Sequence, residues 1–314
     1  MPGDQRTSIP RRALAVGVAS QLAIKKLSAN ETDNSTTSNS MTAIPDLKHY
    51  NISVIGGSLH VLAAGNKNLR TLVLLHKLGG RVQEWRKLIP LLTKSYHVVA
   101  LDIAGHGQSN MSEPIPFIAS QEQLAAQIMA VLDELSITNN IIMLGSSLGG
   151  CLGIVCARIW RNRIDSAITL GSAIGGSTPQ KILHDQAKEA IEKGQFLRDE
   201  TPVGRPLSYA QKTFGITNKL IAAEMNASRK QAGRWIQPVA RGVARMDYIK
   251  DLPTLDQPIL LMHGTLGNYG RFHKAAYPII KNCAQIEISN SGAFPHEEAP
   301  LDTAKNIHSF LKDI

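Results

Sequence analysis

Cysteine is scarce in this sequence, and the three cysteines present lack the spacing of a metal site. Cys151, Cys156 and Cys283 form no CxxC or Cys/His pattern, and their odd number predicts no disulfide framework. We therefore expect a chain that holds no metal or other cofactor and folds in a reducing compartment.

Long apolar runs are also absent. No run approaches the roughly 18 to 20 apolar residues that cross a bilayer, so no transmembrane segment is expected. Of the 314 residues, 43% are hydrophobic and 19% are charged, which is the balance of a soluble globular protein with a substantial core. A disordered chain is excluded on the same grounds.

Positive charge is in excess, but it is concentrated in one segment. The net charge is +9, and residues 158–250 contain 16 basic and 8 acidic residues. The segment lacks the glycine and aromatic interleaving of an RNA-binding sheet and any helix-turn-helix or zinc-finger pattern, so no nucleic-acid partner is expected. Solvated helix faces are the favoured interpretation, and an acidic ligand or a membrane surface is the alternative.

The amino-terminal segment, residues 1–44, is predicted to be a disordered or targeting extension. It begins with basic residues around a short apolar stretch and continues into a Ser/Thr/Asn-rich run over 28–42 that cannot pack. A cytoplasmic location is favoured, and the basic residues leave mitochondrial and secreted locations open. The folded domain is predicted to span 45–314.

Short β-branched runs alternate with longer helical patterns through this domain, which predicts an α/β fold with a mostly parallel eight-stranded sheet covered by helices on both faces. The predicted strands are 51–55, 59–63, 71–75, 97–101, 141–144, 166–170, 259–262 and 285–288. The predicted helices are 83–93, 121–135, 148–160, 184–193, 218–232, 273–280 and 302–311. The segment of about 174–250 is too long for a plain connection and is predicted to be a helical cap over the carboxyl ends of the strands.

One motif carries chemistry. Gly145-Ser146-Ser147-Leu148-Gly149 follows a predicted strand and enters a predicted helix, as a G-x-S-x-G nucleophile turn does. Such a turn exposes the central serine at the edge of the sheet, and it aims the backbone N–H of Leu148 at the place where an oxyanion would form. Ser147 is therefore the candidate nucleophile.

Two further stretches strengthen this interpretation. His76-Lys77-Leu78-Gly79-Gly80 follows the third predicted strand, and Asp102-Ile103-Ala104-Gly105-His106-Gly107-Gln108-Ser109 follows the fourth. Together with the serine motif they resemble the α/β-hydrolase fold superfamily, where these positions read HGxGG and DxxGxGxS. The resemblance implies a serine, acid, histidine triad in that order, and an oxyanion site to which Leu78 and Leu148 contribute.

Both downstream triad positions depart from that pattern. The stretch that matches HGxxD has Gly267 at the acid position, and the stretch that matches GHxxxxExP has Ala293 at the histidine position. Lys77 is a third departure, since it stands where the family has glycine. A serine hydroxyl is a weak nucleophile without an adjacent base, and losing a triad member removes orders of magnitude of turnover.

Two residues are candidate substitutes for the missing base. Lys77 leaves the loop that should face Ser147, and His296 lies three residues beyond the vacant histidine position. The favoured interpretation of Lys77 is a lysine that points into water. The favoured interpretation of His296 is a histidine that packs in the fold.

The sequence thus leaves three hypotheses. The first is a pseudo-hydrolase, similar to maspardin-like members of the superfamily, that binds a small acyl-type molecule or a protein partner with little or no turnover. The second is a carboxylic ester hydrolase, or a related lyase or cyclase, that uses Ser147 with Lys77 or His296. The third is an esterase whose native base and acid have been replaced.

Overall fold

The computed structural model describes residue 44 and residues 46–175 and 204–314, and within them one twisted sheet organises the chain. The predicted extension and the predicted helix at 184–193 lie outside the described residues. The strands are β1 (Lys48–Val54), β2 (Gly57–Ala64), β3 (Thr71–Leu75), β4 (His97–Leu101), β5 (Asn110–Met111), β6 (Ile141–Ser146), β7 (Ile164–Leu170), β8 (Ile259–Gly264) and β9 (Cys283–Ile288).

The strand order is β1-β2-β4-β3-β6-β7-β8-β9, with the two-residue β5 paired to β2. From β4 to β9 neighbouring strands are parallel, whereas β1, β2 and β5 pair antiparallel at one edge. The predicted mostly parallel sheet is confirmed, and β5 is a ninth strand that the sequence did not indicate because two residues have no periodicity. Every residue of β3, β4 and β6 is buried, as expected for strands covered on both faces.

Helices cover both faces of this sheet. In the described part of the chain they are α1 (Ile89–Leu92), α2 (Gln121–Glu134), α3 (Leu148–Ile159), α4 (Leu207–Phe214), α5 (Lys219–Ala232), α6 (Ile236–Ala244), α7 (Tyr248–Asp251), α8 (Gly270–Ala276), α9 (Pro295–Glu298) and α10 (Pro300–Lys312). None of the described helices is long and apolar enough to cross a membrane.

The predicted helix at 83–93 is wrong as a single element. The chain forms a short 3-10 helix at Val82–Trp85 and then α1, whose first turn holds Pro90. Proline has no N–H to donate and its ring clashes with the preceding turn, so Pro90 starts a helix here and cannot continue one.

Two apolar clusters lie on opposite faces of the sheet. One packs α2 and α3 against the strands through side chains such as Leu124, Leu152 and Val155. The other packs α1 and α10 through Leu88, Ile307 and the fully buried Trp85. The sheet is thereby fixed on both sides, which holds the carboxyl ends of its parallel strands as a rigid edge.

The described part of the predicted cap lies over that edge. Arg86 on the sheet side pairs with Glu224 of α5 at 2.8 Å, and Gln231 Nε2 donates to the carbonyl of Gly107 at 2.7 Å. Ala119 N–H donates to the carbonyl of Pro238 in α6 at 3.0 Å. These polar contacts attach α5 to the segments that follow β3 and β4, and α6 to the segment that follows β5.

Candidate functional site

Ser147 sits at a sharp turn between β6 and α3. Its backbone has φ 50° and ψ −108°, a left-handed conformation that a residue with a side chain rarely adopts. Its N–H donates to the carbonyl of Leu170 at 2.9 Å, and its carbonyl accepts from Cys151 N–H at 3.1 Å. Strained conformations of this kind cost about 1–3 kcal/mol and persist only where the surrounding structure enforces them.

The two flanking glycines allow this turn because the backbones pack without room for a side chain. A Cβ on Gly145 would lie 2.0 Å from the carbonyl carbon of Gly149, and a Cβ on Gly149 would lie 1.9 Å from the carbonyl oxygen of Leu75. The G-x-S-x-G pattern is thus explained by close contact between β6, α3 and β3.

A cavity of about 200 Å³ opens in front of Ser147. The sheet side and the described cap residues both line it. The lining residues are Lys77, Leu78, Gly79, Ser147, Arg205, Tyr209, Ala210, Phe214, Ala222, Met225, Asn226, Arg229, Tyr269 and Phe294. No histidine, aspartate or glutamate is among these described lining residues, and Ser147 Oγ makes no hydrogen bond to any side chain in the part of the chain that the structure describes.

Lys77 is not placed as a base. Its ammonium is buried, with Nζ 2.7 Å from Glu84 Oε2 and 2.8 Å from Glu297 Oε1. Burial alone would lower the pKa of Lys77, but the negative charges of Glu297 and Glu84 outweigh burial and raise that pKa above its ordinary value. Lys77 therefore stays protonated near neutral pH, which argues against the hypothesis that it takes a proton from Ser147.

His296 also lies away from Ser147 and contacts other side chains. It is fully buried, its ring lies 4.3 Å from the Trp85 ring between centroids, and its Nε2 is 3.4 Å from Glu84 Oε1. It does not line the cavity that contains Ser147. The structure thus favours the packing interpretation of His296 over the substitute-base hypothesis.

One cluster in the described residues has ligand atoms spaced for a metal ion. Single oxygen or nitrogen atoms of Glu84, His296 and Glu297 lie within 4.8 Å of one another. Lys77 Nζ bonds to both carboxylates. Burial alone would raise the pKa of Glu84, but Lys77 and His296 outweigh burial and lower that pKa to about 2. The lysine ammonium already supplies the positive charge that a metal would bring to these carboxylates.

The oxyanion-loop candidates lie beside the nucleophile candidate. Leu78 lines the cavity with Ser147, and Leu148 is the first residue of α3. Lys77 occupies the family's glycine position without opening the loop, because its side chain turns inward to the carboxylates and its carbonyl accepts from Gly80 N–H at 2.7 Å.

The two positions predicted for the acid and the histidine of a triad, Gly267 and Ala293, lie at the end of α4. Ala293 is buried, and its N–H donates to the carbonyl of Phe214 at 2.7 Å. Near Gly267, Asn268 N–H donates to the carbonyl of Thr213 at 3.4 Å, and Asn268 Nδ2 donates to the carbonyl of Lys212 at 3.3 Å. The last carbonyls of a helix have no partner within the helix, and here the two loops that would carry the triad supply those partners.

The contact is too close for a side chain at the acid position. Gly267 has φ +77°, and a Cβ there would lie 2.6 Å from Gly215 N and 2.7 Å from the carbonyl carbon of Phe214. A Cβ on the neighbouring Gly292 would lie 2.2 Å from the carbonyl oxygen of Phe214. The backbone of the cap thus occupies the space next to both vacant positions.

Two arginines of the cavity were not identified from the sequence. Arg229, predicted to lie on a solvated helix face, lines the cavity instead, and so does Arg205. The spacing of Ala222, Met225, Asn226 and Arg229 along α5 places them on one helical face, so periodicity was a signal for Arg229. Arg205 had no such signal because it precedes α4.

Other basic residues of the positively charged segment are paired. Arg158 contacts Asp251 at 3.3 Å, Arg163 contacts Asp133 at 2.6 Å, and Arg234 contacts Glu113 at 3.5 Å. The positions of these three arginines agree with the prediction that the basic residues of the segment are surface charges.

Comparison with known proteins identifies matches over most of the chain. Residues 70–300 match the family model for the alpha/beta hydrolase fold. The chain is 23% identical over 207 residues to 2-hydroxy-6-oxo-6-(2'-aminophenyl)hexa-2,4-dienoic acid hydrolase of Metapseudomonas resinovorans, covering 61% of this chain and 66% of that protein. It is 33% identical over 165 residues to a 2-hydroxy-6-oxononadienedioate/2-hydroxy-6-oxononatrienedioate hydrolase of Escherichia coli O139:H28, covering 50% and 55%. The matched regions are thus less than two thirds of either relative.

Solved structures give a likeness of fold. Carboxylesterase CesB from Bacillus subtilis has a TM-score of 0.69 at 21% identity, covering 87% of this chain and 94% of that one. Naproxen esterase from Bacillus subtilis has a TM-score of 0.65 at 23% identity, with the same coverage. At these identities the likeness concerns the fold alone.

Proposed function

Since the chain belongs to the α/β-hydrolase fold family, we propose that it uses the family's pocket to bind a small acyl-type molecule, with little or no turnover. It would then be a pseudo-hydrolase that retains a nucleophile turn at Ser147 and the oxyanion positions Leu78 and Leu148. The names of its relatives, hydrolases of dienoic acids, support an acyl-type ligand. A protein partner is the other occupant that the sequence analysis left open.

One observation carries this proposal: the end of α4 is docked where the triad would work. The carbonyl of Phe214 accepts from Ala293 N–H, and the backbone of Gly215 lies against Gly267. A carboxylate side chain at position 267 needs space that the backbone of Phe214 and Gly215 fills. The absence of an acid at this position is therefore matched by the position of the cap.

The chemistry follows from what surrounds the hydroxyl. Serine attacks an acyl carbon only when a base removes its proton, and the described cavity-lining residues offer no imidazole or carboxylate. Lys77 holds its proton because two carboxylates bind it. What remains is an oxyanion site and a pocket, which in a disabled triad leave about 10³–10⁴-fold acceleration over water.

A fluorophosphonate probe tests the proposal, since it labels activated serines. We expect slow or no labelling of Ser147 up to about pH 9, and turnover of p-nitrophenyl esters that is the same in the parent and in Ser147→Ala. Rapid labelling, together with ester turnover that is lost in Ser147→Ala, would establish the ester hydrolase hypothesis instead. Loss of labelling in Lys77→Ala or His296→Ala, in a variant that remains folded, would identify the base.

Restoring the two triad residues tests the third hypothesis. In the double variant Gly267→Asp, Ala293→His, we expect no gain of p-nitrophenyl ester turnover, because the new Cβ at 267 meets the backbone of Gly215. A gain of about a hundredfold or more over the parent would mean that α4 moves aside readily and that the site is a disabled esterase.

A further inference from the structure

The cap side of the cavity carries two positive charges that the described residues leave without an acidic partner. Arg205 and Arg229 both line the cavity, and no described acidic residue forms an ion pair with either. Arg229 Nε is buried with no hydrogen-bond partner. An unpaired buried donor is unfavourable, so this end of the cavity is suited to an acceptor.

Arg205 is held in place by a second residue of the same wall. Asn226 Oδ1 accepts from Arg205 N–H at 2.8 Å, and Asn226 Nδ2 donates to the carbonyl of Arg205 at 2.8 Å. The guanidinium carbon lies 4.7 Å from the centroid of the Tyr209 ring. These contacts fix the main chain of Arg205 to α5, one helical turn from Arg229.

Arg229 is held by the loop on the sheet side. A Cβ built on Gly79 would lie 3.3 Å from the Cβ and Cγ of Arg229, so the stem of this arginine packs closely against Gly79. Gly79 has φ +73°, which also favours glycine. The two guanidinium groups are thus positioned before any ligand arrives.

The position of the Arg229 charge is unfavourable. Burial lowers the pKa of Arg229, and the nearby charge of Arg205 lowers it further. A negative group between the two would relieve this repulsion. Arginine pairs with a carboxylate through two parallel hydrogen bonds, which makes a carboxylate the matching group.

We propose that Arg205 and Arg229 bind the carboxylate of a small ligand whose apolar part lies among the aromatic residues of the cavity. Phe214, Tyr269 and Phe294 supply that apolar wall. A cavity of about 200 Å³ takes a compact monocarboxylate, since drug-sized ligands need about 300–1,000 Å³. The inference rests on the proposed function, because it specifies which acyl-type molecule the pocket accepts.

Isothermal titration of the full chain with 4-phenylbutyrate and with its neutral amide, 4-phenylbutyramide, tests this site. We expect the acid to bind at least about tenfold more tightly than the amide, as charge-assisted hydrogen bonds imply. Arg205→Gln and Arg229→Gln should each weaken the acid by about tenfold or more and leave the amide unchanged. Lys230→Gln is the matched control, because it removes a charge from an exposed neighbour on α5 and should change both affinities by less than about twofold.

Two further readouts separate binding from folding. Arg229→Gln should leave the melting temperature of the empty protein unchanged or raise it, since it removes a repulsion. Arg229→Lys keeps the charge and should retain the preference for the acid at reduced affinity.

The outcomes distinguish the two proposals. Equal binding of acid and amide, or arginine variants that bind like the parent, would overturn the carboxylate site and leave the ligand-binding function standing. Absence of binding by both compounds would overturn the carboxylate site and the ligand-binding function together. Ester turnover dependent on Ser147, with the preference for acid intact, would overturn only the non-catalytic function.

Discussion

Lys77 is a buried cation, and ion pairs with two carboxylates stabilise its charge. Its Nζ bonds to Glu84, seven residues further along the chain, and to Glu297, 220 residues further along. Breaking a buried ion pair by removing one partner leaves uncompensated charge and typically costs about 3–5 kcal/mol. At the scale of single residues, Lys77 is therefore a structural cation that joins the loop after β3 to α9.

Lys77→Met is expected to lower the free energy of unfolding by about 3–5 kcal/mol at pH 7, because it leaves Glu84 and Glu297 buried without a cation. Urea denaturation measures the loss. Lys219→Met, an exposed lysine at the start of α5, is the control and should change stability by less than about 0.5 kcal/mol.

The difference in stability between the parent and Lys77→Met should depend on pH. In the parent the folded pKa of Glu84, about 2, lies below its ordinary value of 4.5, so its contribution is present above pH 4.5 and is lost as pH falls toward 2. In Lys77→Met the Glu84 carboxylate loses its cation and burial favours its neutral form, so the pKa of Glu84 rises and acid relieves part of the destabilisation. The stability gap should narrow between about pH 7 and 4, and a gap that widens there would contradict the ion-pair role.

At the scale of elements, α4 and the two loops after β8 and β9 act as one unit. The loops donate hydrogen bonds to the last carbonyls of α4, and Gly267 permits the approach because it has no side chain. Phe214 adds apolar contact, with its ring 5.4 Å from the Phe294 ring between centroids. The end of the cap helix is thereby attached to the sheet at the positions that the triad would use.

Gly267→Ala should test this attachment. The added Cβ meets the backbone of Gly215 and Phe214, and overpacking of this kind typically costs about 1–3 kcal/mol in addition to the penalty for a left-handed φ. Urea denaturation and limited proteolysis near residue 215 measure the effect.

Gly233→Ala is the matched control, because Gly233 has φ +52° and nothing within 4 Å of its added Cβ. The Gly233→Ala variant should show the destabilisation that a left-handed φ causes in alanine, without a steric clash of the added Cβ. Equal destabilisation by the two substitutions would mean that α4 does not press against Gly267.

At the scale of the whole molecule, several histidines are buried in neutral form. Burial is the largest of the effects that lower the pKa of His97 to about 4 and the pKa values of His106 and His273 to about 3. Each folded pKa lies below the ordinary value of 6.5. At pH values between the folded and the ordinary pKa, the unfolded chain therefore binds more protons than the folded protein does. Folding is therefore weakened as pH falls below 6.5.

Three such histidines predict a steep acid dependence. Each contributes about 1.4 kcal/mol per pH unit, so the free energy of unfolding should fall by about 4 kcal/mol between pH 6 and 5. Urea denaturation at fixed pH values measures this slope. His106→Gln should reduce the slope by about one third, and an unchanged slope would contradict the assignment of His106 as a buried neutral group.

The fold was largely predictable because local patterns determine it. The bounds of β3 and β4 were predicted to the residue, since both are short apolar runs between turn signals. The sharp turn at Ser147 was predicted from its flanking glycines. The partners of Lys77, the position of Arg205 and the docking of α4 could not be predicted, because each depends on residues brought together only by the tertiary fold.

The attachment of α4 couples the sequence at position 267 to the position of the cap. An acidic side chain at 267 would have to displace a helix whose terminal carbonyls accept hydrogen bonds from the loops after β8 and β9. A single substitution that installs an acid there is therefore expected to reduce stability. Engineering a carboxylate into this loop requires a compensating change in the cap.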